Sequence, residues 1–159
     1  EILRCLVGSE MCIRDSCITV PVGHTNKKNM QLIKATEGAL FAGIKQAVVG
    51  NTVGDIGHAV ESYVKPYGYG VLREYVGHGI GTDMHEDPEI PNYGTPGHGP
   101  RLEEGMVICI EPMITMGSAD IISLRDGWSV VTADGKPSAH IEHTIAITKD
   151  GPKILTLRD

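Results

Sequence analysis

From Tyr75 to Glu86 the chain reads Tyr-Val-Gly-His-Gly-Ile-Gly-Thr-Asp-Met-His-Glu, and no other stretch limits the fold as strongly. Three glycines in five residues, Gly77, Gly79 and Gly81, make a helix a poor choice here. They also permit torsions and close approaches that a Cβ forbids. The expected local structure is a strand ending near Val76, then a loop that holds His78 and His85 near one spot. Histidine ligates metals as a neutral imidazole and carries protons near neutral pH. Taken alone, though, two loop histidines read as ordinary polar residues.

Two later residues shift that balance. Glu111 lies in the apolar run Val107-Ile108-Cys109-Ile110-Glu111-Pro112-Met113, and Glu142 in Ala139-His140-Ile141-Glu142-His143-Thr144-Ile145. A carboxylate seldom sits in a half-buried strand without a partner. Strand alternation puts Val107, Cys109 and Glu111 on one face, and His140, Glu142 and Thr144 on one face of another strand. If those faces meet the His78 loop, an imidazole and two carboxylates converge, which suggests a metal. Such a donor set favours manganese, iron, cobalt or zinc over a thiolate site. Paired ions with bridging carboxylates generate a hydroxide nucleophile and polarise a carbonyl, which is hydrolytic chemistry. His85 is then free to donate a hydrogen bond to a developing oxyanion, or only to orient the loop.

The rest of the chain supplies a scaffold. Its 159 residues fit one domain with a real core. A net charge of -6 without a basic run argues against a nucleic-acid surface, and no apolar run reaches membrane-spanning length. Cys5, Cys12, Cys17 and Cys109 lack zinc-ribbon or disulfide-framework spacing, so free thiols in a reducing cytoplasm are expected. Residues Glu1 to Arg14 fit no structural template and no secretory signal, and are expected to be a non-native or disordered leader, with the domain running over 15–159.

A strand is expected over Cys17 to Val22. A helix follows, capped by Asn26 or Asn29 and ended by Gly50, with apolar residues at Met30, Ile33, Leu40, Ile44, Ala47 and Val48. Thr52 and Asp55 form a capping-box variant before a second stripe, Val53, Ile56, Val60, Tyr63 and Val64, stopped by Pro66 and Gly68. Residues Pro88 to Pro100 read as irregular surface chain, with His98, like His24 and His58, solvated. Strands are then expected near Met106–Ile110, Ile114–Thr115, Ser129–Thr132, His140–Ile147 and Lys153–Leu155, with turns at Asp126-Gly127, Asp134-Gly135 and Asp150-Gly151. The order predicts an α+β domain, an antiparallel sheet with two helices packed on one face.

In combination, Glu74 to Gly81, His85-Glu86-Asp87-Pro88, Glu104-Gly105-Met106, Ile110 to Met113, Asp126-Gly127-Trp128 and Glu142-His143-Thr144 resemble the type I methionine aminopeptidases. These are metal-dependent enzymes of the pita-bread fold that remove the initiator methionine from nascent polypeptides. The resemblance implies metal ligation by His78, Glu111 and Glu142, with Glu142 bridging two ions. It implies a substrate contact for His85, proton handling by Glu111 as a catalytic residue, and a place for Trp128 near the substrate pocket. The run Asp15 to Gly23 is similar to the strand that carries the family's second aspartate ligand, which would make Asp15 the other bridging carboxylate. Nascent chains are the implied partner, and ribosome association stays open.

Nothing in this sequence matches the family's first half, which supplies a further aspartate ligand and a further histidine. The chain therefore reads as the second half of a pita-bread fold, with one ion bound by Asp15, His78, Glu111 and Glu142 and the second ion's site impaired. Half of such a sheet is expected to expose an unpaired strand edge and apolar surface, and the fragment to be less stable and more prone to associate than the full enzyme, with its activity left open. X-Pro aminopeptidases and prolidases share the His-Gly-Ile-Gly loop but more often carry Gly where Met113 stands. A non-catalytic pita-bread binding module is the other alternative, against which the retention of His78, Glu111 and Glu142 counts.

Overall fold

The computed structural model describes residues 14–157. The segment expected to be a leader thus lies, apart from Arg14, outside the described residues.

Two helices lie over the joined faces of two antiparallel sheets. Helix α1 (Lys27–Ile44) starts where Asn26 accepts the Asn29 N–H at 2.8 Å. It stops six residues before Gly50, because the chain tightens after Ile44, with Gln46 and Ala47 N–H groups bonding to Gly43 and Ile44 carbonyls. Helix α2 (Val53–Val64) begins at the expected cap, where the Asp55 carboxylate accepts both the Thr52 N–H and the Thr52 hydroxyl at 2.8 Å. Its buried stripe is Val53, Ile56, Val60 and Val64. Tyr63, expected in that stripe, is instead 40% exposed and stacks on Tyr67. A 3-10 turn over Lys65–Tyr67 and a left-handed Gly68 end the helix where Pro66 and Gly68 foretell it.

The main sheet contains β1 (Ser16–Cys17), β3 (Gly77–Gly79), β4 (Glu86–Ile90), β5 (Val107–Ile110), β10 (Glu142–Thr148) and β11 (Gly151–Ile154), ordered β1-β10-β5-β3-β4 with β11 also on β10. A smaller sheet joins β2 (Gly70–Val71), β6 (Met113–Thr115) and β9 (Ser138–His140), and β7 (Ile121–Ser123) pairs with β8 (Val130–Thr132) as a hairpin. In the first core cluster Leu40, Ile44, Val53 and Ile56 of the helices meet Ile108, Ile110, Ile145 and Ile147 of the main sheet. In the second, Leu32, Ala39, Val60 and Val64 meet Val71, Ile114 and Ala139 of the smaller sheet. Both sheets therefore present one face to the same helix pair, as the α+β expectation requires.

Three expected elements differ. The strand over Cys17 to Val22 shrinks to Ser16–Cys17, since Ile18, Val20 and Val22 point outward. The chain stays beside His140 through the Thr19 side chain, whose hydroxyl donates to the His140 carbonyl at 2.7 Å and accepts its N–H at 2.9 Å. The single strand His140–Ile147 divides at Ile141 into β9 and β10, which join different sheets. And part of the expected surface chain after Pro88 belongs to β4, an edge strand in which a proline removes no needed donor.

Candidate metal centre

The glycine-rich stretch places His78 inside strand β3 rather than in the loop beyond it. Gly77 and Gly79 have no left-handed torsion; what they provide is room. A Cβ on Gly77 would lie 2.2 Å from the Cys109 carbonyl oxygen, and one on Gly79 would lie 2.2 Å from that of Asp87. Strands β5 and β4 thus close on β3 from both sides. The His78 ring is 7% exposed by residue, and its Nδ1 faces the Gly79 carbonyl at 2.8 Å. With Nδ1–H donating there, Nε2 keeps its lone pair for a cation.

Alternation then sorts the two central strands. Ile108, Ile110, Ile145 and Ile147 face the helices, while Cys109 and Thr144, directly opposed in register, lie on the other face with Sγ and Oγ1 3.5 Å apart. Glu142 shares that second face and opposes Cys17. Glu111 follows β5 at the break where the chain passes to β6, level with the break at Ile141, and the Ile141 N–H points to the Pro112 carbonyl at 3.5 Å. The buried Asn92 fixes this corner, its Nδ2 donating to the Glu111 carbonyl at 3.1 Å. Both acidic residues therefore sit where two ribbons change sheets together.

The geometry gathers three of the expected residues. His78 Nε2 is 3.5 Å from Glu111 Oε1. Donor atoms of His78, Cys109 and Glu142 all lie within 4.8 Å of one another, as do those of Glu111, His140 and Glu142. His85 is exposed, with its ring in edge contact with His78 at a centroid distance of 4.3 Å. Asp15 is in neither group. Its N–H donates to Thr144 Oγ1 and its carbonyl accepts from that hydroxyl, both at 2.7 Å, and its carboxylate accepts the Ser16 N–H at 2.8 Å. Trp128 is 83% exposed on the turn between β7 and β8 and does not enclose the cluster.

Electrostatics make the cluster expectant of positive charge. Burial first, then the negative charges of Glu111 and Asp15, push the Glu142 carboxyl up to about 7. Glu142 is 4% exposed, and its Oε1 is buried without a hydrogen-bond partner among the described residues. An unpartnered buried carboxylate oxygen is costly, and a divalent cation between Glu142, Glu111 and His78 would satisfy it. The residues present thus fit a metal. Burial also holds the Cys109 thiol protonated, raising its pKa well above the ordinary value, which makes it a packing residue more than a thiolate ligand. Burial favours a neutral His140, but hydrogen bonds with Cys17 and Glu111 outweigh it and lift the ring to about 10.

His140 and Asn92 are the members of this neighbourhood that sequence reasoning did not assign. Alternation put His140 on the Glu142 face, which was the available signal. Asn92, in Pro-Asn-Tyr-Gly, carries only the signature of a turn.

An imidazole and two carboxylates near one another at the seam of two antiparallel sheets, under a pair of helices, make a candidate metal site in an α+β protein. Comparison with known proteins places it further: residues 3–149 match the family model described as metallopeptidase family M24, and the chain belongs to that family. It is similar to a methionine aminopeptidase of Clostridium acetobutylicum, 50% identical over 143 residues that cover 90% of this chain and 57% of the relative. Among solved structures, the methionine aminopeptidase of Rickettsia prowazekii matches with a TM-score of 0.88 at 46% identity, over 91% of this chain and 58% of that one. A prolidase of Pyrococcus horikoshii matches less well, with a TM-score of 0.67 at 28% identity, over 92% of this chain and 36% of that one. The chain spans a little over half the length of the curated relatives it matches. Family membership implies use of a divalent metal. No helix among the described residues is long and apolar enough to cross a membrane.

Proposed function

We propose that this chain contributes the metal centre of a methionine aminopeptidase, which removes the N-terminal methionine from peptides and proteins. The observation that carries the reading is the buried Glu142 Oε1, without a hydrogen-bond partner among the described residues, in a side chain that belongs both to the group with His78 and Cys109 and to the group with Glu111 and His140, while His78 and Glu111 stand 3.5 Å apart. When bound, such a cation supplies a Lewis acid for the scissile carbonyl and acidifies a water molecule.

The chain's own residues do the rest. His78, Glu111 and Glu142 hold the ion, and Asp15, whose charge acts on Glu142, joins them as a ligand of the same ion. Glu111 also accepts and returns the proton of the attacking water, its carboxylate being only partly buried. His85, against the His78 ring but open to solvent, donates a hydrogen bond to the substrate carbonyl. Trp128 borders the substrate's path from the β7–β8 turn. An apolar hollow of about 260 Å³ lined by Leu72, Tyr75, Met113, Ile121 and Val130 opens beside His140 and offers room for an uncharged side chain.

Glu111 and Glu142 would be the residues to hold a second ion as well, and that ion would supply further Lewis acidity. Cobalt, manganese, iron and zinc all suit these ligands. The cytoplasm, where Cys17 and Cys109 remain free thiols, is the compartment this chemistry suits.

The test is a pair of substrates offered to the protein with manganese or cobalt: one peptide beginning Met-Ala and one beginning Ala-Pro. Metal-dependent release of methionine, abolished in Glu111→Gln, is expected. Cleavage of the Ala-Pro peptide alone, or methionine release that survives chelation, contradicts the proposal.

A further inference from the structure

The two oxygens of the Glu111 carboxylate have different neighbours. Oε1 faces His78 Nε2 at 3.5 Å, on the side of the proposed cation, and Oε2 faces His140 Nε2 at 3.2 Å. A free carboxylate rotates about its last bond with little resistance, so something must choose which oxygen meets the ion.

His140 is held firmly enough to make that choice. Its backbone opposes Met113 in the β6–β9 ladder, two residues beyond Glu111. On the other side its N–H and carbonyl are both occupied by the Thr19 hydroxyl. The ring thus projects from a strand fixed along both edges. Its side chain is 35% exposed against 13% for Glu111, so it stands at the rim of the cluster, outside the buried oxygen of Glu142 that calls for the ion. A ring nitrogen that donates a proton to a carboxylate has no lone pair left for a metal.

We propose that His140 is a positioning residue: its Nε2–H donates to Glu111 Oε2, fixing the carboxylate so that Oε1 is presented to the cation shared with His78 and Glu142. The inference rests on the metal reading above. Partners that orient a ligating group in this way change metal affinity about 10- to 100-fold when removed.

Cobalt titration of the 159-residue chain tests it, read by calorimetry and by the visible absorption of the bound ion, with thermal unfolding of each metal-free variant as a check on folding. His140→Ala is expected to bind cobalt about 10- to 100-fold more weakly. His140→Gln, which keeps an N–H donor at a similar reach, is expected to restore near-original affinity with an unchanged absorption spectrum. Affinity undiminished in His140→Ala overturns the role. So does a His140→Gln variant as weak as the alanine one with a shifted spectrum, since that marks His140 as a direct ligand. Glu142→Gln separates the two levels of the argument: if the unsubstituted chain binds no cobalt, or if Glu142→Gln binds as well as it does, the metal reading falls and this inference with it.

Discussion

At the scale of single residues, the site depends on backbone closeness as much as on ligand chemistry. His78 is delivered to the cluster because Gly77 and Gly79 let the neighbouring strands approach to distances that a methyl group would block. Gly79→Ala places a carbon against the Asp87 carbonyl and is expected to cost about 1–3 kcal/mol, as overpacked sites do. Urea unfolding checks this, and a variant as stable as the original chain contradicts it. The burial and nearness of His78, Glu111 and Glu142 were legible in the sequence because each is a polar group in an apolar or glycine-rich run, where burial without a partner is expensive. Asn92 was not, and alternation gave His140 only a place on the Glu142 face, since their contacts with Glu111 depend on two breaks lying level with each other. Periodicity along one strand carries no information about that.

Elements were legible where local chemistry sets them and obscure where tertiary pairing does. The Asn26 and Thr52–Asp55 caps, the left-handed Gly68 and the α2 stripe follow from short-range rules. The early end of α1, the shortened β1 and the division at Ile141 follow from contacts far along the chain. The α2 cap makes a prediction of its own. Hydrogen bonds from the Thr52 hydroxyl and N–H, with that of the Gly97 N–H, hold the Asp55 carboxyl below its ordinary value of 3.8. Because the folded-state pKa is the lower one, the stabilisation is present above that ordinary value and lost as pH falls through the folded-state value. Asp55→Ala is expected to cost about 1 kcal/mol at neutral pH, reduced because the group is partly solvated. The deficit should shrink in acid. Unfolding curves at neutral and strongly acidic pH check it, and an equal deficit at both contradicts it.

For the whole molecule, the α+β layering and the single helix-covered face are what alternation and helical stripes predict. How the strands divide between two sheets is not, because a one-residue break at Ile141 leaves the apolar pattern intact. The same geometry leaves Ile18, Val20 and Val22 exposed at 57%, 59% and 92%, continuing from the edge strand β1. Such an apolar edge favours pairing with another chain. Sedimentation is expected to show association that rises with concentration and is reduced by Val20→Lys; association unchanged by that substitution contradicts the assignment.

The metal centre at the seam of the two sheets is most directly tested by anomalous diffraction from crystals soaked in manganese. A strong peak is expected within coordination distance of His78 Nε2, Glu111 Oε1 and Glu142 Oε1. Manganese bound only at other carboxylates, with no peak among these three side chains, would contradict it.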